Sequence, residues 1–166
     1  MAVEFKLDRN ELIALLLVFF ISLGIGHFPA KSTLPDFSVA TAIQTYAVSS
    51  AQPLHIQVAY YLESAYAYIL GLPQSSPQAI VSFLLFFPPV LLALTSLFLY
   101  LSVRTLGFGR AISAFCALLF AFSFASFPFL PGLFGPAQLA APLSALFIFH
   151  FVSFASKGRL PMLIPA

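Results

Sequence analysis

Apolar positions in this chain are gathered into long blocks. They run from Leu12 to Phe28, from Pro77 to Arg104, from Ala111 to Phe127 and from Gln138 to Ser156. Blocks approaching about 18–20 residues match the span of a bilayer core by an α-helix. The pattern predicts an all-α integral membrane fold in a single domain over residues 1–166. Its crossings are expected at about residues 11–28, 77–104, 110–128 and 137–156, followed by a basic tail over 157–166. Asn10 is placed to cap the first helix, with Glu11 favourably in its first turn. A cleavable signal peptide is the alternative for this block, since Lys6 and Arg9 precede it. No small-x-small cleavage site stands out near Gly26 to Ala30, which favours a retained helix. Pro88 and Pro89 are expected to kink the second crossing near its middle, a kink tolerated where neighbouring helices satisfy the carbonyls they free.

The one polar island between these blocks lies within residues 29–76. Two short amphipathic helices are expected there rather than a strand pair. Val39, Ala42, Ile43, Tyr46 and Ala47 recur at helical spacing in the first. In the second, Pro53 suits the first helical position, and Leu54, Val58, Tyr61, Leu62, Ala65 and Ile69 share an apolar face. His55 and Glu63 fall off that face, on the side expected to meet headgroups. Gly71 ends the helix and Pro73 keeps it ended. Amphipathic helices of this kind lie in the membrane interface.

Composition sharpens the class. The chain is 61% hydrophobic and 7% charged, against about 25% charged in soluble domains. Phe is abundant at 21 residues while Trp is absent, so interfacial anchoring falls to the 6 Tyr. The net charge of +2, with no basic run, excludes nucleic acid as a partner. Counted by side, Lys6, Arg9, Arg104, Arg110, Lys157 and Arg159 share one face of a four-crossing chain, and Lys31 alone lies on the other. That bias predicts a multi-pass cell-membrane protein with cytoplasmic termini and an extracytoplasmic polar island. Cys116, the single cysteine, excludes an internal disulfide and reads as a small core residue.

Few residues could carry chemistry. Asp36, just beyond the first crossing and after the turn that Pro29 and Pro35 bracket, could hold a divalent metal or accept a proton; its plain alternative is a solvated or helix-capping acid. His55 and Glu63 stand two turns apart, too far to share one ion unaided, and suit lipid or substrate contact at the headgroups. His27 suits the end of the first helix, and His150 can be satisfied by a helix neighbour. Nucleophile-elbow, phosphate-loop, zinc-helix and dinucleotide motifs are missing from the sequence. Gly24, Gly26, Ala111, Ala114 and Ala117 suit close helix packing.

The order of these parts, together with Pro35-Asp36-Phe37, the segment Gln52 to Leu62 and above all Phe87 to Phe127 with its turn RTLGFGR, resembles the N-terminal part of the GT-C superfamily. The nearest likeness is to the catalytic subunit of archaeal and bacterial oligosaccharyltransferases. The resemblance implies protein glycosylation from a polyprenyl-phosphate-linked sugar, with Asp36 as catalytic and metal-binding acid for Mg or Mn. The turn from Phe129 to Ala140 lacks the acids that the family places there. A truncated or degenerate glycosyltransferase module of this N-glycosylation type, lacking a complete catalytic site and not active alone, is therefore expected. A non-catalytic membrane subunit or scaffold of a larger complex is the alternative, and a small transporter ranks below both.

Overall fold

The computed structural model describes residues 8–27, 37–46, 52–123, 129, 132 and 134–157. Among these, six helices occur: α1 (Arg9–His27), α2 (Phe37–Tyr46), α3 (Leu54–Leu70), α4 (Pro77–Thr105), α5 (Arg110–Phe122) and α6 (Pro136–Lys157). The protein is an all-α membrane protein, and α1, α4 and α6 are each long and apolar enough to cross a bilayer. The expected third crossing is only partly seen. Helix α5 has 13 residues, about 20 Å of rise, and residues 124–128 lie outside those described.

Helix α4 is the axis of the fold, and α1, α3, α5 and α6 all pack on it. It starts cleanly because Ser76 accepts the Ala79 N–H at 3.2 Å and Pro77 sits where its missing N–H is harmless. Helix α1 runs antiparallel to it. Glu11 at the start of α1 meets Tyr100 and Arg104, Val18 packs with Tyr100, and Gly26 meets Pro89 and Leu92. Gly26 is required by that approach, since a Cβ there would lie 3.0 Å from the Pro89 Cβ. Small residues at such crossings let backbones close in, which drives association where apolar burial gives no gain over lipid. Helix α5 returns beside α1, bringing Ala117 to Val18. Phe134, just before α6, contacts Phe83 and Phe87 near the start of α4, so α6 runs in the same direction as α4. The start of α1, the end of α4 and the start of α5 therefore share one end of the bundle.

The paired prolines do not break α4, which continues through both. Pro88 has no N–H, which frees the Leu84 carbonyl one turn back. Gly132 donates its N–H to that oxygen at 2.8 Å, so the turn before α6 supplies the missing bond. Both prolines are fully buried. The mid-helix prolines and the charge-free turn are thus two halves of one contact.

Helices α2 and α3 rest on the other half of α4. Val39 and Ile43 of α2 are buried, as their spacing predicts. In α3 the expectation is reversed. Ile56, Ala59, Glu63 and Ala67 form the buried line, whereas Leu54, Tyr61 and Ile69 point outward. Leu62 of the expected stripe packs partly on the core, and the small side chains of Ala59 and Ala67 let α3 sit close on the bundle. Pro53 is the N-cap of α3 rather than its first helical residue. Gly71 closes the helix in the left-handed conformation at φ 66°, and the Leu72 N–H bonds the Ala67 carbonyl.

Candidate functional site

Two fully buried glutamates mark the two ends of the bundle. Glu11 and Glu63 each have 0% exposure. A buried carboxylate needs donors or opposite charge to stay ionised. The two differ in how they meet that need.

Glu11 is surrounded by donors from α4 and α5. Its Oε1 accepts from the Tyr100 hydroxyl at 2.6 Å and from Arg104 Nε at 2.9 Å. Its Oε2 accepts from Arg104 Nη2 at 3.0 Å and Arg110 Nε at 2.8 Å. The Arg104 fork is bidentate, the geometry in which guanidinium and carboxylate planes match best. Arg104 Nη1 also donates to the Phe108 carbonyl at 2.6 Å, which fixes the turn between α4 and α5. Arg110 Nη2 pairs with Asp8. Asp8 Oδ1 accepts the Glu11 backbone N–H at 2.7 Å. Asp8, not Asn10, therefore caps α1, because only an oxygen three residues before Glu11 reaches that N–H. The Glu11 N–H, and then the Arg110 guanidinium, hold the Asp8 carboxyl below its ordinary range. Three helices are clamped through one carboxylate.

Glu63 has far less. Its Oε1 accepts one bond, from the Ser75 backbone N–H at 3.2 Å. Its Oε2 and the neighbouring Ser75 hydroxyl are buried without a hydrogen-bond partner. Ser75 itself takes φ 55°, the left-handed region that a side chain disfavours. Beside it, Gln74 Nε2 donates to the Tyr60 hydroxyl at 3.0 Å and to Ser64 Oγ at 2.5 Å. Burial pushes the Glu63 carboxyl upward, only partly opposed by the Ser75 N–H. Glu63 thus does not lie on a headgroup-facing side as its position in the apolar pattern suggests. It is turned into the bundle against the α3–α4 turn.

The other expected site residues are not gathered around it. Asp36 lies outside the described residues. His55 is half-buried one end of α3 away, about 12 Å along the axis. The His27 ring lies 5.6 Å from that of Phe86. His150 Nδ1 is 2.9 Å from the Leu146 carbonyl, the helix-neighbour contact expected of it. Cys116 is exposed on α5 rather than part of the core, because the buried line of that helix is Ser113, Ala117 and Ala121. Tyr46, Tyr60 and Tyr61 form a ring cluster between α2 and α3, with centroids 4.9 to 6.2 Å apart. Mg and Mn sites draw several oxygen ligands, and among the described residues no group of three His, Cys, Asp or Glu could hold a metal ion.

Sequence reasoning passed over the Glu11 clamp, although the signal was present. In a chain this poor in charge, an acid at the start of one apolar block and arginines bracketing a turn on the same predicted face have few other partners. Comparison with protein-family models, characterised proteins and solved structures finds no match.

Proposed function

We propose that this chain is a non-catalytic membrane subunit, a bundle whose task is to hold a stable apolar surface for partners within the bilayer. The observation that carries this reading is the Glu11 clamp. The charged side chains that meet, Asp8, Glu11, Arg104 and Arg110, neutralise one another at a helix junction. The cleft between α2 and α4, of about 240 Å³, is lined by Ala40, Thr41, Gln44, Pro77, Ile80 and Val81 and holds no titratable group. Large apolar side chains of α1, α5 and α6, including Phe20, Phe115 and Phe147, face outward. In this reading the chain has four crossings, α5 being the core of the third, and α2 and α3 lie in the extracytoplasmic interface. Arg9, Arg104 and Arg110 at the shared bundle end are cytoplasmic, as the positive-inside bias requires. Purification in mild detergent should bring down larger membrane proteins in fixed proportion. A monodisperse monomer that retains none contradicts the proposal. In a Cys116→Ser background, Tyr68→Cys should label from outside intact cells and Leu106→Cys should not; the reverse overturns the topology.

A second reading rests on the element order. A long apolar helix, two short helices and a proline-bearing helix follow one another as in the resemblance to lipid-linked-sugar glycosyltransferases. There Asp36 would serve the transfer with Mg or Mn and a polyprenyl-phosphate-linked sugar. Asp36→Ala should then abolish glycan transfer by membranes containing the protein; unchanged transfer removes the reading.

A further inference from the structure

We propose that Glu63 is a proton-binding site that latches α3 onto α4. With its proton in place the neutral acid holds the α3–α4 turn closed; when the proton leaves to bulk water, the buried carboxylate draws in solvent and α3 lifts from the bundle. This goes beyond both functional readings, since neither requires a titrating group.

The geometry argues for a neutral acid. Glu63 is fully buried, one of its oxygens has a single backbone donor, and the other has none. An ionised carboxylate in that state would be far less favourable than a protonated one. The Ser75 hydroxyl, in the residue whose backbone N–H already meets Glu63, is also unpartnered and has acceptor capacity to spare. No arginine or lysine of the described residues reaches this site: α4 carries Arg104 only at its far end, and that residue is occupied by Glu11. The other titratable groups of the packed elements are His55, Tyr60, Tyr61, Tyr66 and Tyr68 on α3, Tyr46 on α2, Tyr100 on α4, which is bound to Glu11, and His27 at the end of α1. None of these makes an ion pair or hydrogen bond to Glu63 among the described residues. The turn itself contributes Gln74, Ser75 and Ser76, which do not titrate.

The place is also mechanically suited to a latch. Glu63 lies in the middle of the buried line Ile56, Ala59, Glu63 and Ala67, through which α3 rests on the bundle. Gly71 and Ser75, both with positive φ, flank the short link to α4. The sign follows from the raised carboxyl value. The closed form binds the proton more tightly than the open form, so closure is complete below the ordinary carboxyl range. It weakens as pH rises from that range to the raised value and then changes no further.

The test uses the full chain in lipid vesicles, with Cys116→Ser and a reporter at Ala67→Cys, which is buried when α3 is seated. A water-soluble maleimide is applied across pH, and each rate is divided by that of the same reporter with Glu63→Gln, which cancels the thiol's own titration. The ratio should climb by up to about tenfold per pH unit within the window and then level. In the protein without the Gln substitution, infrared absorption should show a protonated carboxyl that titrates in step with the labelling. A flat ratio overturns the latch. A missing carboxyl band overturns the proton site, even where Glu63→Gln fails to fold.

Discussion

The two ends of α4 set side by side two glutamates of equal burial and opposite circumstance. At one end Glu11 receives four hydrogen bonds from two guanidiniums and a phenol. At the other Glu63 receives one, from a backbone N–H. Burial alone therefore says nothing about what an acid does in this fold. Its donors decide. The first acid is a fixed anion that joins α1, α4 and α5, and the second is best satisfied by a proton. The same contrast runs through the packing. The Glu11 end is built from long helices in extended contact, whereas the short helices α2 and α3 rest on α4 through small and medium side chains and the Tyr66 ring against Phe83 and Phe86.

The contrast can be broken most sharply from the clamp. Arg104→Ala leaves a fully buried Glu11 with only Tyr100 and Arg110, and removal of one partner from a buried pair costs about 3–5 kcal/mol. Chemical unfolding in mixed micelles should show a loss of that order; a loss below about 1 kcal/mol, the range of surface pairs, would reduce the clamp to a surface contact. Next comes the helix crossing that lies between the two ends. Gly26→Leu must push α1 away from Pro89 and should destabilise by about 1–3 kcal/mol, with Gly24→Leu, which meets nothing within 4 Å, as the silent control. Equal effects at both positions would remove the close approach from the account. The smallest change belongs to the Glu63 end. Ser75→Gly relieves a left-handed backbone and deletes an unpartnered hydroxyl, so a gain of about 1 kcal/mol is expected. A loss would show that the hydroxyl is paired in the membrane.

Much of the fold could be read before its coordinates. The apolar blocks placed α1, α4 and α6, Gly71 and Pro73 marked the end of α3, and the spacing of Val39 and Ile43 marked the buried side of α2. The mid-helix prolines announced a need for an outside donor, although nothing in the sequence named Gly132. The misreadings share one physical cause. In water, an apolar stripe turns inward; in a chain proposed to lie at a membrane interface it can turn outward, and Leu54, Tyr61 and Ile69 are exposed while Glu63 turns in. Cys116 is exposed for the same reason. The clamp was hidden because it joins residues about ninety positions apart, a separation no local pattern encodes. Its charges, counted only by side, carried topology information but no pairing. For Asp36, the sharpest candidate in the sequence, the described residues give no position.

The most direct measurement compares Glu11→Gln with Glu63→Gln by reversible unfolding in the same micelles at about pH 4.3, the ordinary glutamate value, where the raised Glu63 carboxyl keeps its proton. Both substitutions are isosteric, and both remove one ionisable group from a fully buried site. Glu11→Gln should lose about 3 kcal/mol or more, because two guanidiniums are left without their carboxylate. Glu63→Gln should stay within about 1 kcal/mol of the unsubstituted protein or gain stability, since an amide replaces an acid that is already neutral. Equal losses at the two positions, or a larger loss at Glu63, would contradict the account.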